Sequence, residues 1–203
     1  MSELSRQATN TAPAPDALCG ALRLSREEAS AMGDLFVQIV ARFGLQGRPI
    51  FDRLEKGQSF ARALDIPEGA ADVLYFRAHQ WFSVGRIERA EALFRALCVI
   101  AGQVADHWVG YGVCLKARGL LPEAGRAFET ASVLRPDWAI PHFHLLECLI
   151  RSDEWERARL ALEAFDNRVE DGLPAGVIAE AERFRMAIAL RQAPEPPDSC
   201  LRP

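Results

Sequence analysis

The chain has 203 residues, 49% apolar and 26% charged, with a formal net charge of −4. That length allows one or two domains with a sizeable core, and the acidic balance without a Lys/Arg block argues against nucleic acid or an anionic membrane as the main partner. No apolar run approaches the ~20 residues that span a bilayer, so no stable membrane insertion is expected, and the first residues carry no apolar stretch of a secretory signal. The expected location is therefore the cytosol, where Cys19, Cys98, Cys114, Cys148 and Cys200, odd in number and without a CxxC, stay reduced.

Residues 1–24 are rich in Ala, Ser, Thr and Pro without periodicity, and are expected to form a disordered arm. Ser25 and Glu28 then make a capping box. Met32, Phe36, Ile39, Val40 and Phe43 follow at helical spacing, and Gly44 and Gly47 end that helix. Its stripe has two readings: packing on the elements that follow, or a contact between two chains through Phe36, Ile39, Val40 and Phe43. Pro49–Leu54 predicts a short helix stopped by Gly57, and Ser59–Ile66 another ended by Pro67. Residues 25–66 are thus read as one N-terminal helical segment.

From Ala71 onward one pattern is written three times. Ala90, Ala124 and Ala158 are 34 residues apart, as are Phe94, Phe128 and Leu162, then Gly85, Gly119 and Asp153. A period of 34 is that of the tetratricopeptide repeat, a helix–turn–helix unit. With frames opening at Ala71, Ala105 and Ala139, helix A of each repeat is predicted at about 71–84, 105–118 and 139–152, and helix B at about 87–100, 121–134 and 155–169. The eighth position, a close helix crossing, holds Ala78, Gly112 and Leu146, so the third repeat carries bulk where a small residue is expected. Gly172 breaks the chain and Pro174 opens a last helix. Its apolar face (Val177, Ala181, Phe184, Ile188) and charged face suit a cap over the end of a repeat stack. Pro194, Pro196 and Pro197 begin a tail, 193–203, expected to be disordered. The fold class is all-α: an α-solenoid of three tandem repeats within 67–192, preceded by the helical segment and closed by the capping helix.

In such a stack the A helices line the concave side. Their inward positions read Asp72, Tyr75, His79, Phe82; Asp106, Val109, Val113, Lys116; and Ile140, Phe143, Glu147, Ile150. Solvated surface would be polar here, so the apolar set predicts a peptide-binding groove of Tyr75, His79, Phe82, Val109, Val113, Lys116, Phe143 and Glu147, unless the N-terminal segment fills it. The rings of Phe82 and Phe143 are expected to face the groove and not the core. Lys116 and Glu147 either orient a bound backbone or are solvated rim charge. The Lys/Arg and Asn that grip a C-terminal carboxylate are missing: Tyr75, His79, Gly110, Ile140 and His144 stand there. His144 and Cys148 make at most half a metal site. Ser83, Asp106 and His107 form no triad, and no GxSxG, Walker or GxGxxG sequence occurs. An enzyme, a cofactor and a metal are not expected.

Four stretches carry a family resemblance. Residues 54–90, LEKGQSFARALDIPEGAADVLYFRAHQWFSVGRIERA, are similar to the entry of the class II type III secretion chaperones of the LcrH/SycD type. FRALCVI (94–100) resembles their FxxLCVLD, GYGVC (110–114) their GLGxC, and FHLLECL (143–149) their FHxAECL. The chain departs from the pattern at Ala101, at Leu145 and Leu146, and at His79, where the family has a groove aromatic. The resemblance implies a cytosolic bacterial chaperone that holds hydrophobic translocator proteins by an extended segment in the groove. It also implies homodimers and, in some members, a transcriptional regulator as a second partner. The alternative is a general tetratricopeptide scaffold for another peptide or a regulator.

Overall fold

The spacing that repeats every 34 residues becomes helices within a few residues of the expected places. The computed structural model describes residues 25–42, 44–169 and 173–192. The arm assigned to 1–24, the tail assigned to 193–203 and the contact residue Phe43 lie outside them. Among the described residues every regular element is a helix, and the chain divides after residue 70 into two units, each taken here by itself.

The first unit holds α1 (Arg26–Ala41), α2 (Gly47–Glu55) and α3 (Phe60–Ala63). Two glycines let α1 and α2 touch. A Cβ on Gly47 would stand 2.7 Å from the Cα of Val37, and one on Gly33 2.7 Å from the Phe51 ring. Gly47, expected only to end a helix, thus serves as a crossing point. Phe51 is buried, and the Phe36 ring lies 5.8 Å from it. Ser59 caps α3 by accepting from the Arg62 N–H at 3.4 Å. This helix stops short of the expected Ile66. Asp65 turns left-handed (φ 53°), and the Ile66 N–H donates back to the Ala61 carbonyl at 2.9 Å.

The second unit opens with α4 (Ala70–Ser83) and α5 (Ile87–Ile100). It continues with α6 (Ala105–Ala117), α7 (Leu121–Leu134), α8 (Ala139–Arg151) and α9 (Trp155–Asp166), and closes with α10 (Ala175–Gln192). All three hairpins turn the same way. Gly85, Gly119 and Asp153 have φ of 74°, 79° and 58°. The next N–H donates five residues back in each: Arg86 to Trp81 at 2.8 Å, Leu120 to Leu115 at 3.0 Å and Glu154 to Leu149 at 2.9 Å. Two glycines take this conformation without a Cβ clash; Asp153 holds it with a side chain.

Ala90, Ala124 and Ala158 are 0% exposed, so the helices cross there with no room for a larger group. In the second repeat, the Phe128 ring sits where a Cβ on Gly112 would be, at 2.6 Å. The third repeat keeps the volume but exchanges its owners: Leu146 stands at the place of Gly112, and Leu162 at that of Phe128. Both are buried in one core cluster. The bulk that looked like a mismatch is half of a large-for-small swap. α10 packs Ala181 and Ile188 into the same cluster and meets α8 and α9, closing the open end of the stack.

Polar links join the same units. Arg118 pairs with the buried Glu91, Arg135 with Asp106 at 2.5 Å, Arg157 with Glu129 at 2.7 Å, and Lys116 with Glu147. The last pair bridges α6 and α8, with the two side chains 14% and 23% exposed. His144 completes it, its Nδ1 3.1 Å from the Lys116 ammonium. Burial first, then the Lys116 charge, holds the His144 imidazole below its ordinary value against the opposing Glu147 hydrogen bond, so it is neutral at pH 7. His144 and Lys116 in turn pull the Glu147 carboxyl down to about 2, against the opposing effect of burial.

Two outcomes follow. Ala124→Leu is expected to overpack the crossing and cost about 1–3 kcal/mol; an unmoved thermal midpoint would mean that the crossing lies elsewhere. Because the folded-state value of Glu147 lies below its ordinary 4.5, its contribution is full above pH 4.5 and is lost as pH falls toward 2. Glu147→Gln should therefore melt lower at pH 7, by about 1–3 kcal/mol of stability, because it leaves Lys116 without a counter-charge. Melting curves taken down to pH 2 should show parent and variant converging; a difference that stays constant refutes the linkage.

Candidate functional site: an aromatic pocket on the A helices

Helices that cross closely at small residues leave their larger side chains to meet on the inner face. Between α4 and α6 these enclose an open pocket of about 250 Å³. Tyr75, His79 and Phe82 from α4 form one wall; Val109, Gly110 and Val113 from α6 form the other. Phe94 of α5 is the floor, with Asp106 and Trp138 at the edge toward α8.

The floor exists because Gly110 has no side chain. A Cβ there would stand 2.2 Å from Phe94 Cε1. The ring therefore lies against the α6 backbone, and its edge is framed by two other rings. Tyr75 meets it at 5.9 Å and His79 at 5.3 Å, both near-perpendicular, the favoured arrangement for aromatic quadrupoles. Tyr75 and His79 also meet each other at 4.5 Å. The buried His107 lies 5.6 Å from Tyr75, with its Nδ1 3.1 Å from the Ala101 carbonyl.

The pocket carries little free charge. Asp106 accepts from Arg135, whose guanidinium lies 3.8 Å over the Trp138 ring. Burial, then the nearby Asp106 carboxylate, raises the Tyr75 phenol above its usual value, against the opposing Arg135 charge. Tyr75 is therefore protonated at neutral pH.

The structure brings together five of the eight groove residues expected from sequence: Tyr75, His79, Phe82, Val109 and Val113. It places the other three differently. Phe143 is a correction: it is 7% exposed and belongs to the core. Its ring sits 5.9 Å from Phe165 and 5.9 Å from Phe184 of α10, so the capping helix covers the face that the repeat register turns inward. Lys116 and Glu147 face each other across α6 and α8 and are neither an open groove edge nor free rim charge. Phe94, Gly110 and Trp138 were missed. Phe94 lies on a B helix, outside the inward positions of the A helices, Gly110 offers no side chain to read, and Trp138 lies between repeats, at the N-cap of α8. Cys98 and Cys114 are pushed up to about 12 by burial and Cys148 to about 11, so these thiols stay protonated.

Comparison with known proteins bears on what such a pocket accompanies. No protein-family model matches the chain. Chaperone protein SicA of Salmonella typhimurium is 25% identical over 139 residues, 68% of this chain and 84% of SicA. The Yersinia enterocolitica type III secretion chaperone SycD, solved with a peptide of the translocator YopD, has the same fold. It matches with a TM-score of 0.60 at 23% identity, over 64% of this chain and 99% of that one. Pseudomonas aeruginosa PcrH, solved with the chaperone-binding region of PopD, matches with a TM-score of 0.58 at 21% identity, over 63% and 97%. The repeat period and the shared helical stack agree: this chain is similar in sequence to the chaperone SicA and in fold to the type III secretion chaperone SycD.

Proposed function

We propose that the chain is a cytoplasmic bacterial chaperone. It keeps a hydrophobic type III secretion translocator soluble and competent for secretion by holding an extended segment of it on the A-helix face. The observation that carries this reading is the pocket of Tyr75, Phe82, Phe94, Val109 and Trp138. It lies on the face of a stack whose relatives SycD and PcrH were solved with translocator peptides.

The physics of the task fits the site. A translocator carries membrane-seeking segments that aggregate in water. An apolar anchor entering the pocket loses its hydration at about 25 cal/mol per Å² of buried area. Ordering an extended segment opposes this, so binding is moderate and reversible. The cycle needs no nucleotide: holding is an equilibrium, and release comes from competition at the secretion apparatus. The chain acts by binding, without chemistry of its own.

The same reading includes a contact between two chains through α1. Ile39 is 49% exposed and its neighbour Leu35 57%. Phe36 packs on Phe51 within the unit, and Val40 is half-buried.

Co-expression with a neighbouring gene that encodes paired long hydrophobic segments, followed by affinity capture, tests the function. The parent chain should retain the translocator. Val109→Asp, on the pocket wall, should lose it at least tenfold while keeping its melting curve, in the range of an interface hot spot. Capture unchanged in the variant removes the pocket as the site, and no capture by the parent removes the chaperone reading. Light scattering tests the second contact. Ile39→Glu should shift a dimer to monomer, and a variant dimer or a parent monomer rejects α1 as the interface.

A further inference from the structure

The turn between α4 and α5 gathers arginines in a chain whose net charge is −4. Gly85, Arg86, Ile87, Glu88, Arg89 and Arg118 line an open cavity of about 470 Å³ there, and none of them belongs to the aromatic pocket. Arg118 is anchored by the buried Glu91. Arg77 and Arg89 lie 4.9 and 4.8 Å from the centre of the Trp81 ring, a cation–π contact that orders their long side chains. Among the described residues no carboxylate forms an ion pair with Arg77, Arg86 or Arg89, although Glu88 stands in the same cavity. Elsewhere on this unit Arg135, Arg157, Arg159 and Arg185 each hold a carboxylate at 2.5 or 2.7 Å. The repeat itself does not call for arginine at the turn. The places of Arg86 and Arg89 hold Leu120 and Glu123 in the second hairpin, and Glu154 and Arg157 in the third.

We infer that this turn docks an acidic segment of a protein partner, an extended stretch whose Asp or Glu side chains are spaced over Arg86, Arg89 and Arg118. A guanidinium presents a planar fork that matches a carboxylate in two parallel hydrogen bonds. Arg86 and Arg89 have that fork free of any carboxylate among the described residues. Arg118 gives Glu91 an N–H from Nη1, and a guanidinium has five to give, so it can hold a second carboxylate as well. One exposed ion pair contributes little. A lone acidic side chain is therefore not retained, whereas several acting together are, and the site selects for a run of acidic residues. The cavity is large enough for several side chains at once and gives a single small anion no enclosure. Glu88 decides between an acidic peptide and a nucleic acid. Carboxylates on a peptide can be spaced to either side of it, but an unbroken row of phosphates meets it as a like charge. The site stands whether or not the aromatic pocket holds a translocator.

The test uses the full-length chain and a fluorescein-labelled hexaglutamate peptide, with the hexaglutamine peptide beside it, followed by fluorescence anisotropy. Saturable binding is expected for hexaglutamate and none for hexaglutamine, with affinity falling as salt rises. Arg86→Glu combined with Arg89→Glu should weaken hexaglutamate at least tenfold with an unmoved melting curve, because both side chains are exposed. Arg159→Glu combined with Arg183→Glu reverses the same number of charges elsewhere and should leave binding within twofold of the parent. An equal loss in both double variants overturns the inference, since overall charge would then explain it. So does a parent that binds neither peptide, or both alike. Unlabelled competitors test the class of occupant. Inorganic pyrophosphate or single-stranded DNA that displaces the probe at the concentration where unlabelled hexaglutamate does so would show a plain anion site or a nucleic-acid site, and would refute the acidic-peptide site. If the double glutamate variant does not fold, Arg86→Gln with Arg89→Gln takes its place, and a folded glutamine variant that binds as the parent does refutes the site.

Discussion

The Phe94 ring lying on the bare α6 backbone at Gly110 is the contact on which the site depends. It brings the second hairpin down onto the first, and it turns a core side chain into the floor of a pocket. A ring so placed cannot be exchanged for an aliphatic group without leaving a void, nor the glycine for alanine without a clash. Aromatic floor and glycine wall therefore specify each other. One repeat later the same step meets another solution: Phe128 lies against Gly112 and the His144 ring, 5.1 Å away.

Difference within repetition is what gives the stack a function. Three hairpins with one backbone plan use three volume distributions: Ala78 with Phe94, Gly112 with Phe128, and Leu146 with Leu162. The summed bulk is held roughly constant, as close packing demands. Where the bulk resides decides whether the inner face is open or filled. The end that needs a cap receives α10, and in covering the core it also removes a face that would otherwise bind.

Most of the fold was legible in the sequence because a period is a redundant signal. Helix positions, turns and close crossings were each written three times, so a single deviation such as Asp153 did not hide the pattern. The short α3 was less legible, since its end depends on a left-handed Asp65 that local sequence does not announce. The site was legible only in part. Register indicates which way a side chain points, and Tyr75, Phe82 and Val109 line one pocket. It does not say what arrives in front of that side chain. Phe143 points as its register requires and is buried because Phe184, 41 residues further on, covers it. Trp138 joins the pocket from a connection that the repeat frame treats as a spacer.

The four tryptophans now differ in a way that has an optical consequence. Trp81 is flanked by Arg77 and Arg89, Trp108 donates to the Gly102 carbonyl at 2.7 Å, and Trp155 packs against the core beside α10. Trp138 alone among them lines the pocket. An apolar group entering there displaces water from one indole while leaving three as they were. The chain thus carries a built-in fluorophore whose emission moves to the blue on occupancy, against a constant background from the other three.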